Sequence, residues 1–163
     1  MSDSDIFIKL LPEILGDPAA AKVYNPVVCY GSPVVLSYAA KWADSMIEEM
    51  LPGVKIVRIS GQAFINRMLH LLMESGDIPC FIKSCCDGDV LVLAGLEAFA
   101  GKELACENLY YILDDYLLRG QAIIAFADAT PSGIPKLPPR IRAQLEGGIL
   151  LDLGRNSIGA IDP

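Results

Sequence analysis

The sequence predicts an α/β domain, a three-layer sandwich around a five-stranded, mostly parallel sheet, and three observations carry that expectation. Short apolar runs alternate with segments of helical period, the order that yields strand, crossover helix and parallel strand. One run, Asp89-Val-Leu-Val-Leu93, is continuously apolar, as a strand covered on both faces must be. The 163 residues are one domain's length, and the 53 % that are apolar suffice for a large core.

The elements follow in order. Asp5 to Gly16 is a short amphipathic piece interrupted by Pro12, and Pro18-Ala-Ala-Ala-Lys22 permits helix. Residues 1–21 are therefore expected as an N-terminal arm that packs on the body or extends from it, and 22–163 as a single core domain. Val27-Val-Cys-Tyr30 is a β-type run ended by Gly31-Ser-Pro33. Leu36 to Leu51 then reads as a helix with Ala39, Ala40, Ala43, Ile47 and Met50 inward, stopped by Pro52-Gly53. Val54 to Ile59 alternates as a second strand. Ser60 to Glu74 supplies a capped amphipathic helix with Phe64, Met68, Leu71 and Leu72 on one stripe. No element is assigned between Ser75 and Gly88. After the buried run come a helix from about Glu103 to Arg119, the run Ala122 to Ala127, a Pro-punctuated loop, a short helix near Arg140 to Leu145, and Gly148 to Leu153. There is no internal repeat and no low-complexity linker.

Charge and composition narrow the function classes. Twenty acidic and thirteen basic residues give a net charge of −7 and a pI near 4.6, a balance that repels the phosphate backbone of duplex DNA. One His and five Cys leave little from which to build a hydrolytic site or a metal cage. The cysteines (Cys29, Cys80, Cys85, Cys86, Cys106) are odd in number and lack C-x-x-C spacing, so small buried hydrophobes in a reducing cell is their expected role. The acidic opening Met1-Ser-Asp-Ser-Asp5 is unlike a secretory leader, and cytoplasmic placement is expected. The longest uncharged stretch, Val23 to Ala40, carries Asn25, Pro26, Gly31 and Pro33, so no membrane span is expected there. His70 reads as a surface or edge histidine rather than a partner for a thiol nucleophile. Asp114 and Asp115 point about 100° apart on a helix and do not form a paired site.

Four blocks then invite comparison: Asn25-Pro-Val-Val-Cys-Tyr-Gly31, Ser60-Gly-Gln-Ala-Phe-Ile-Asn66, Asp89-Val-Leu-Val-Leu-Ala-Gly-Leu-Glu-Ala-Phe-Ala-Gly-Lys-Glu103, and Pro139-Arg-Ile-Arg-Ala-Gln-Leu-Glu-Gly-Gly148. In that order and spacing, over about residues 22 to 153, the chain resembles the AAA+ nucleotide-binding domain of the bacterial replication initiator DnaA and its regulatory relatives. The resemblance implies a P-loop NTPase-like sheet. It also implies positions for phosphate, magnesium and a trans-acting arginine, and at each this sequence departs from the pattern. A working phosphate loop reads G-x-x-x-x-G-K-[ST]. Ungapped, Gly31 matches the first glycine, while Leu36 stands for the second glycine, Ser37 for the lysine and Tyr38 for the magnesium-binding hydroxyl. Two carboxylates that would hold Mg²⁺ at a strand end are replaced by Ala94 and Gly95, and the arginine-finger position by Gln144, with Arg140 and Arg142 flanking it. The chain ends at Pro163, so the family's helical lid and its duplex-DNA-reading domain are expected to be absent.

The expected function is thus a catalytically inactive, DnaA-like adaptor or regulator that uses no cofactor and no metal. It is expected to bind a protein partner, namely the replication initiator, another replication factor or itself. The alternative is a nucleotide- or single-stranded-DNA-binding module that uses the remnant loop and the locally basic segment 54–84. Arg58, Arg67 and Lys83 would be its weak nucleic-acid contacts, since the corresponding helices of relatives line the path of single-stranded DNA. Apolar edges at Ile6 to Leu15 and Tyr110 to Leu118 are candidates for meeting a partner or covering the chain itself.

Overall fold

A computed structural model describes residues 1–154. Seven α-helices and five strands are described, in the order α1 (Asp3–Gly16), α2 (Pro18–Tyr24), β1 (Val27–Gly31), α3 (Pro33–Met50), β2 (Ile56–Ser60), α4 (Gly61–Met73), α5 (Ile78–Cys85), β3 (Val90–Ala94), α6 (Glu103–Leu118), β4 (Ala122–Ala127), α7 (Pro139–Glu146) and β5 (Ile149–Gly154). The strands form one sheet of order β2-β3-β4-β1-β5 in which every pairing is parallel. This is the expected three-layer α/β sandwich.

Strand alternation divides the core in two. Val27, Cys29, Val90, Val92, Ile124 and Phe126 point to the face covered by α1 and α3. Their neighbours Val28, Leu91, Leu93, Ile123 and Ala125 point to the face covered by α4–α7. Each apolar run therefore serves both layers, which is why β3 and β4 carry no polar residue.

Of the two arrangements expected for the N-terminal segment, α1 packs on the body, beside α3. A capping box starts α1, with the Ser2 hydroxyl accepting from Asp5 N–H and the Asp5 carboxylate accepting from Ser2 N–H. Pro12 lies inside α1 without ending it, while Phe7, Leu10, Leu11 and Ile14 are buried. Phe7 packs edge-on against Trp42 at 5.4 Å and Phe126 at 6.2 Å between ring centroids. The Asp3 carboxylate accepts the Asp152 N–H at 2.7 Å, tying α1 to edge strand β5.

Other expectations shift by a turn or less. The third helix starts at Pro33 rather than Leu36, because Ser32 caps it and proline fits a first helical position. Its inward stripe is Val35, Ala39, Ala43 and Ile47, with Met50 exposed. In α4 the buried stripe is Phe64, Ile65 and Met68, whereas Leu72 is 50 % exposed, and Ser60 makes no side-chain cap bond. The segment left without an element contains α5, capped by the Asp77 carboxylate on Cys80 N–H at 3.0 Å. The edge at Tyr110 to Leu118 mostly covers the chain itself: Ile112, Leu113 and Tyr116 are buried, and the Tyr116 hydroxyl donates to the Cys85 carbonyl at 2.8 Å.

Candidate functional site

In an open parallel sheet the ligand crevice lies beyond the carboxyl ends of the strands. Here backbone segments approach one another closely at the ends of β1 and β3. A phosphate loop needs roughly five residues between strand and helix, yet β1 ends at Gly31 and α3 begins at Pro33, with Ser32 alone between them. Most of the backbone donors at this turn are already used or missing. Pro33 has no N–H, Val35 N–H donates to the Ser32 hydroxyl at 3.5 Å, and Leu36 N–H donates to the Ser32 carbonyl at 3.0 Å. Ser32 N–H itself donates to the Gly154 carbonyl at 3.1 Å.

Leu36, Ser37 and Tyr38 therefore occupy the body of α3, not a loop. Leu36 packs against the core and the other two are exposed. Gly31 has a packing role, since a Cβ there would stand 2.6 Å from the Gly154 carbonyl oxygen.

The end of β3 is closely packed as well. Gly95 is left-handed (φ 66°) and opens a short 3-10 turn, Leu96–Phe99. A Cβ on Gly61 would lie 2.1 Å from the Gly95 carbonyl oxygen, so the start of α4 rests directly on this backbone. Ala94 is half-buried on the α3 side and brings no ligand atom. Among the described residues no group of three His, Cys, Asp or Glu is arranged to hold a metal ion. At the positions the resemblance implies, Leu36, Ser37, Tyr38, Ala94 and Gly95 bring no lysine amine and no carboxylate to a magnesium nucleotide.

Gln144 turns inward. Its side-chain N–H donates to the Tyr110 carbonyl of α6 at 3.0 Å, and the Arg140 guanidinium lies 4.6 Å from the centre of the Tyr110 ring. Both contacts tie α7 to α6 within one chain.

The cations of segment 54–84 do not assemble on one face. Arg58 leaves β2 on the α3 side and pairs with Asp44 at 3.3 Å, and Lys55 pairs with Asp87 at 2.6 Å. Arg67 on α4 and Lys83 on α5 are exposed on the opposite face of the sheet. His70 pairs with Glu74 at 2.9 Å on the surface of α4. Four of the five thiols are held in the protonated form by burial. Burial raises Cys29 far above the usual range and also raises Cys85 and Cys106, while burial, then Asp115 and Cys85, push Cys86 up to about 11. Cys29, Cys85 and Cys106 are buried as expected, whereas Cys86 is half-buried and Cys80 is exposed.

The apolar edge expected at Tyr110 to Leu118 leaves Tyr111 and Leu118 exposed, and sequence reasoning missed only the clefts beside it, since one wall of the larger is the unassigned α5. An open groove of 1060 Å³ runs between α5 and α6, bordered by Pro79, Cys80, Lys83, Asn108, Tyr111 and Arg119. A smaller apolar cleft of 210 Å³ lies between α4 and the start of α6, at Leu69, Leu72 and Leu104. The signal was present: Leu104, Tyr111 and Leu118 recur at seven-residue spacing on a helix whose inner stripe is already complete. No described helix is long and apolar enough to cross a membrane.

Comparison with known proteins agrees with this architecture. Residues 13–152 match the family model for the bacterial DnaA ATPase domain. Among solved structures, the replication initiator DnaA bound to AMPPCP and single-stranded DNA superposes with a TM-score of 0.78 at 23 % identity, over 88 % of this chain and 44 % of that one. Domain III of the Thermotoga maritima initiator DnaA superposes with a TM-score of 0.77 at 18 % identity, over 93 % of this chain and 62 % of that one. The DnaC helicase loader is more distant, with a TM-score of 0.62 at 20 % identity over 80 % of each chain. The chain spans less than half the length of the first of these relatives.

Proposed function

The chain belongs to the bacterial DnaA ATPase-domain family, and from that premise we propose that it is an adaptor or regulator that neither hydrolyses nucleotide nor depends on a cofactor. It acts in the cytoplasm by binding protein, with the replication initiator, another replication factor or a second copy of itself as partner. The mechanism is occupancy: the domain fills an assembly surface while offering Gln144 where the family resemblance implies an arginine. The core of this reading is residues 22–163.

One observation supports it above the others, the replacement of the strand-to-helix loop by Ser32 alone, with no lysine between Lys22 and Lys41. Without the loop and the cation, the phosphates of a nucleotide lose both the N–H cradle and the counter-charge. Thermal melting with and without millimolar Mg-ATP and Mg-ADP tests this directly. Ligand at about 100 times its Kd stabilises by roughly 2.7 kcal/mol, a rise of about 5–10 °C for a chain of this size. The expected result is no shift, and a clear Mg-dependent rise overturns the reading.

The second reading, a single-strand-binding module, draws on the relative described as bound to single-stranded DNA and on the exposed Arg67 and Lys83. Phosphate contacts weaken steeply as salt rises. Oligonucleotide binding that falls from 50 to about 200 mM salt and is lost in Arg67→Ala with Lys83→Ala would favour this reading over the adaptor.

A further inference from the structure

The outer face of α6 is apolar at regular intervals. Leu104, Tyr111 and Leu118 are 42 %, 59 % and 80 % exposed, and they mark one stripe because residues seven apart return to the same side of a helix. The two clefts flank this stripe, the smaller at Leu104 and the larger along Tyr111. One flank of the stripe carries Glu103, Glu107 and Asp114, none of which forms an ion pair among the described residues, while Lys83 and Arg119 line the larger cleft and Lys102 the smaller. Asp115 is the exception, held by Arg119 at 2.9 Å. An apolar seam with an unpaired acidic border on a rigid helix is the complement of an amphipathic helix with leucine-like residues inward and lysine or arginine along its edges. The same border disfavours a second copy of this chain stacked helix to helix, because like charges would face one another.

We infer that the α6 face is a docking groove for a basic amphipathic helix of a partner protein. This names the surface and the partner chemistry of the adaptor reading and rests on it. Apolar anchors settle on Leu104, Tyr111 and Leu118, and the basic edge pairs with Glu103, Glu107 and Asp114. The opposite layer, made by α1 and α3, takes no part.

The test uses the full chain and a synthetic 18-residue helical peptide with leucine on one face and lysine on the other. Two control peptides accompany it, one with the same composition scrambled out of helical spacing and one with glutamate in place of lysine. The lysine peptide is expected to bind, and both controls to bind at least about tenfold more weakly. Tyr111→Ser combined with Leu118→Ser is expected to weaken binding about tenfold or more, because truncated anchors dominate such interfaces. Both residues are exposed, so the melting temperature should hold. Val34→Ser, an equally exposed apolar residue on the α3 side, should leave binding unchanged. Equal binding of the scrambled peptide, or full binding by the double variant, overturns the inference. So does a dimer in sedimentation that the double variant dissolves, since a second copy would then be the occupant. The nucleotide melting experiment is independent: a peptide that fails to bind while Mg-ATP still gives no shift removes the groove and leaves the adaptor reading standing.

Discussion

Leu36→Gly, Ser37→Lys and Tyr38→Thr together would write a phosphate-loop ending into the sequence, and the structure predicts that they gain nothing. The three positions are the fourth to sixth residues of α3, beyond the helix start rather than before it. Glycine at a helical position costs about 1 kcal/mol relative to a good helix former. Removing the half-buried Leu36 side chain costs about 1 kcal/mol more, less than the roughly 1.5–3 kcal/mol of a fully buried leucine. Ser37 and Tyr38 are exposed, and their changes are each within about 0.5 kcal/mol. The sum, about 2 kcal/mol, lowers the melting temperature by roughly 4–8 °C in a domain of this size. Nucleotide rescue would act in the opposite direction. A restored site saturated about 100-fold over its Kd would add roughly 2.7 kcal/mol, so the signs of the two effects separate them. Differential scanning fluorimetry of the triple variant with Mg-ATP, Mg-ADP and no nucleotide gives the readout. A Mg-dependent rise of about 5 °C or more would refute the conclusion that the loop, and not just its residues, is missing.

Further outcomes follow from contacts elsewhere. The Asn25 side chain donates to the Gln121 carbonyl at 2.7 Å and accepts the Ile123 N–H at 2.8 Å, so Asn25→Ala leaves both groups without it. A loss of about 2–3 kcal/mol is expected in urea titrations. In the folded chain Cys80 should react first with a thiol reagent such as DTNB, with Cys29, Cys85 and Cys106 protected until denaturant is added; fast reaction of several thiols would contradict the packing around α5. Cys86 ionises at about 11 in the fold, against about 8.5 for a thiol in an unfolded chain. A raised value means that the folded state holds the proton more tightly. The associated stability is complete below about pH 8.5 and is lost as pH rises through about 11. Cys86→Ser should therefore flatten part of the alkaline decline in urea midpoints while changing little at pH 7.

Most of the fold was legible because its strands are short apolar runs that serve two cores. β3 and β4 read directly, since both alternating sets of side chains are buried. The less legible elements share a cause, which is that tertiary packing overrode a local signal. Pro12 argued for a break, yet a helix whose Phe7, Leu11 and Ile14 are buried against the sheet tolerates one missing backbone bond. The α5 helix is eight residues long and begins within Gly76-Asp77-Ile78-Pro79, a turn-like string that also serves as cap and first turn. In α4 the choice between Ile65 and Leu72 turns on where α5 and α6 press, which periodicity alone does not contain.

The candidate site was harder to read because its glycines mean something different in three dimensions. Gly31 and Gly61 stand inside two of the family-like blocks, where a sequence reader connects glycine with phosphate. Both are explained by backbone instead. A Cβ at Gly31 would collide with Gly154 on the neighbouring strand, and one at Gly61 with the Gly95 carbonyl. A glycine at a motif position can therefore be required by packing alone. Packing also explains how the apolar content is spent. Helices α1 and α3 complete one core and α4–α7 the other. Of the exposed large apolar residues, Leu104, Tyr111 and Leu118 lie on α6 and Leu69, Leu72 and Met73 on its neighbour α4, while Val34, Tyr38 and Met50 lie on α3 in the opposite layer. Exposed side chains of that size have no part in either core, and a groove bordered by unpaired carboxylates gives those on α6 a use.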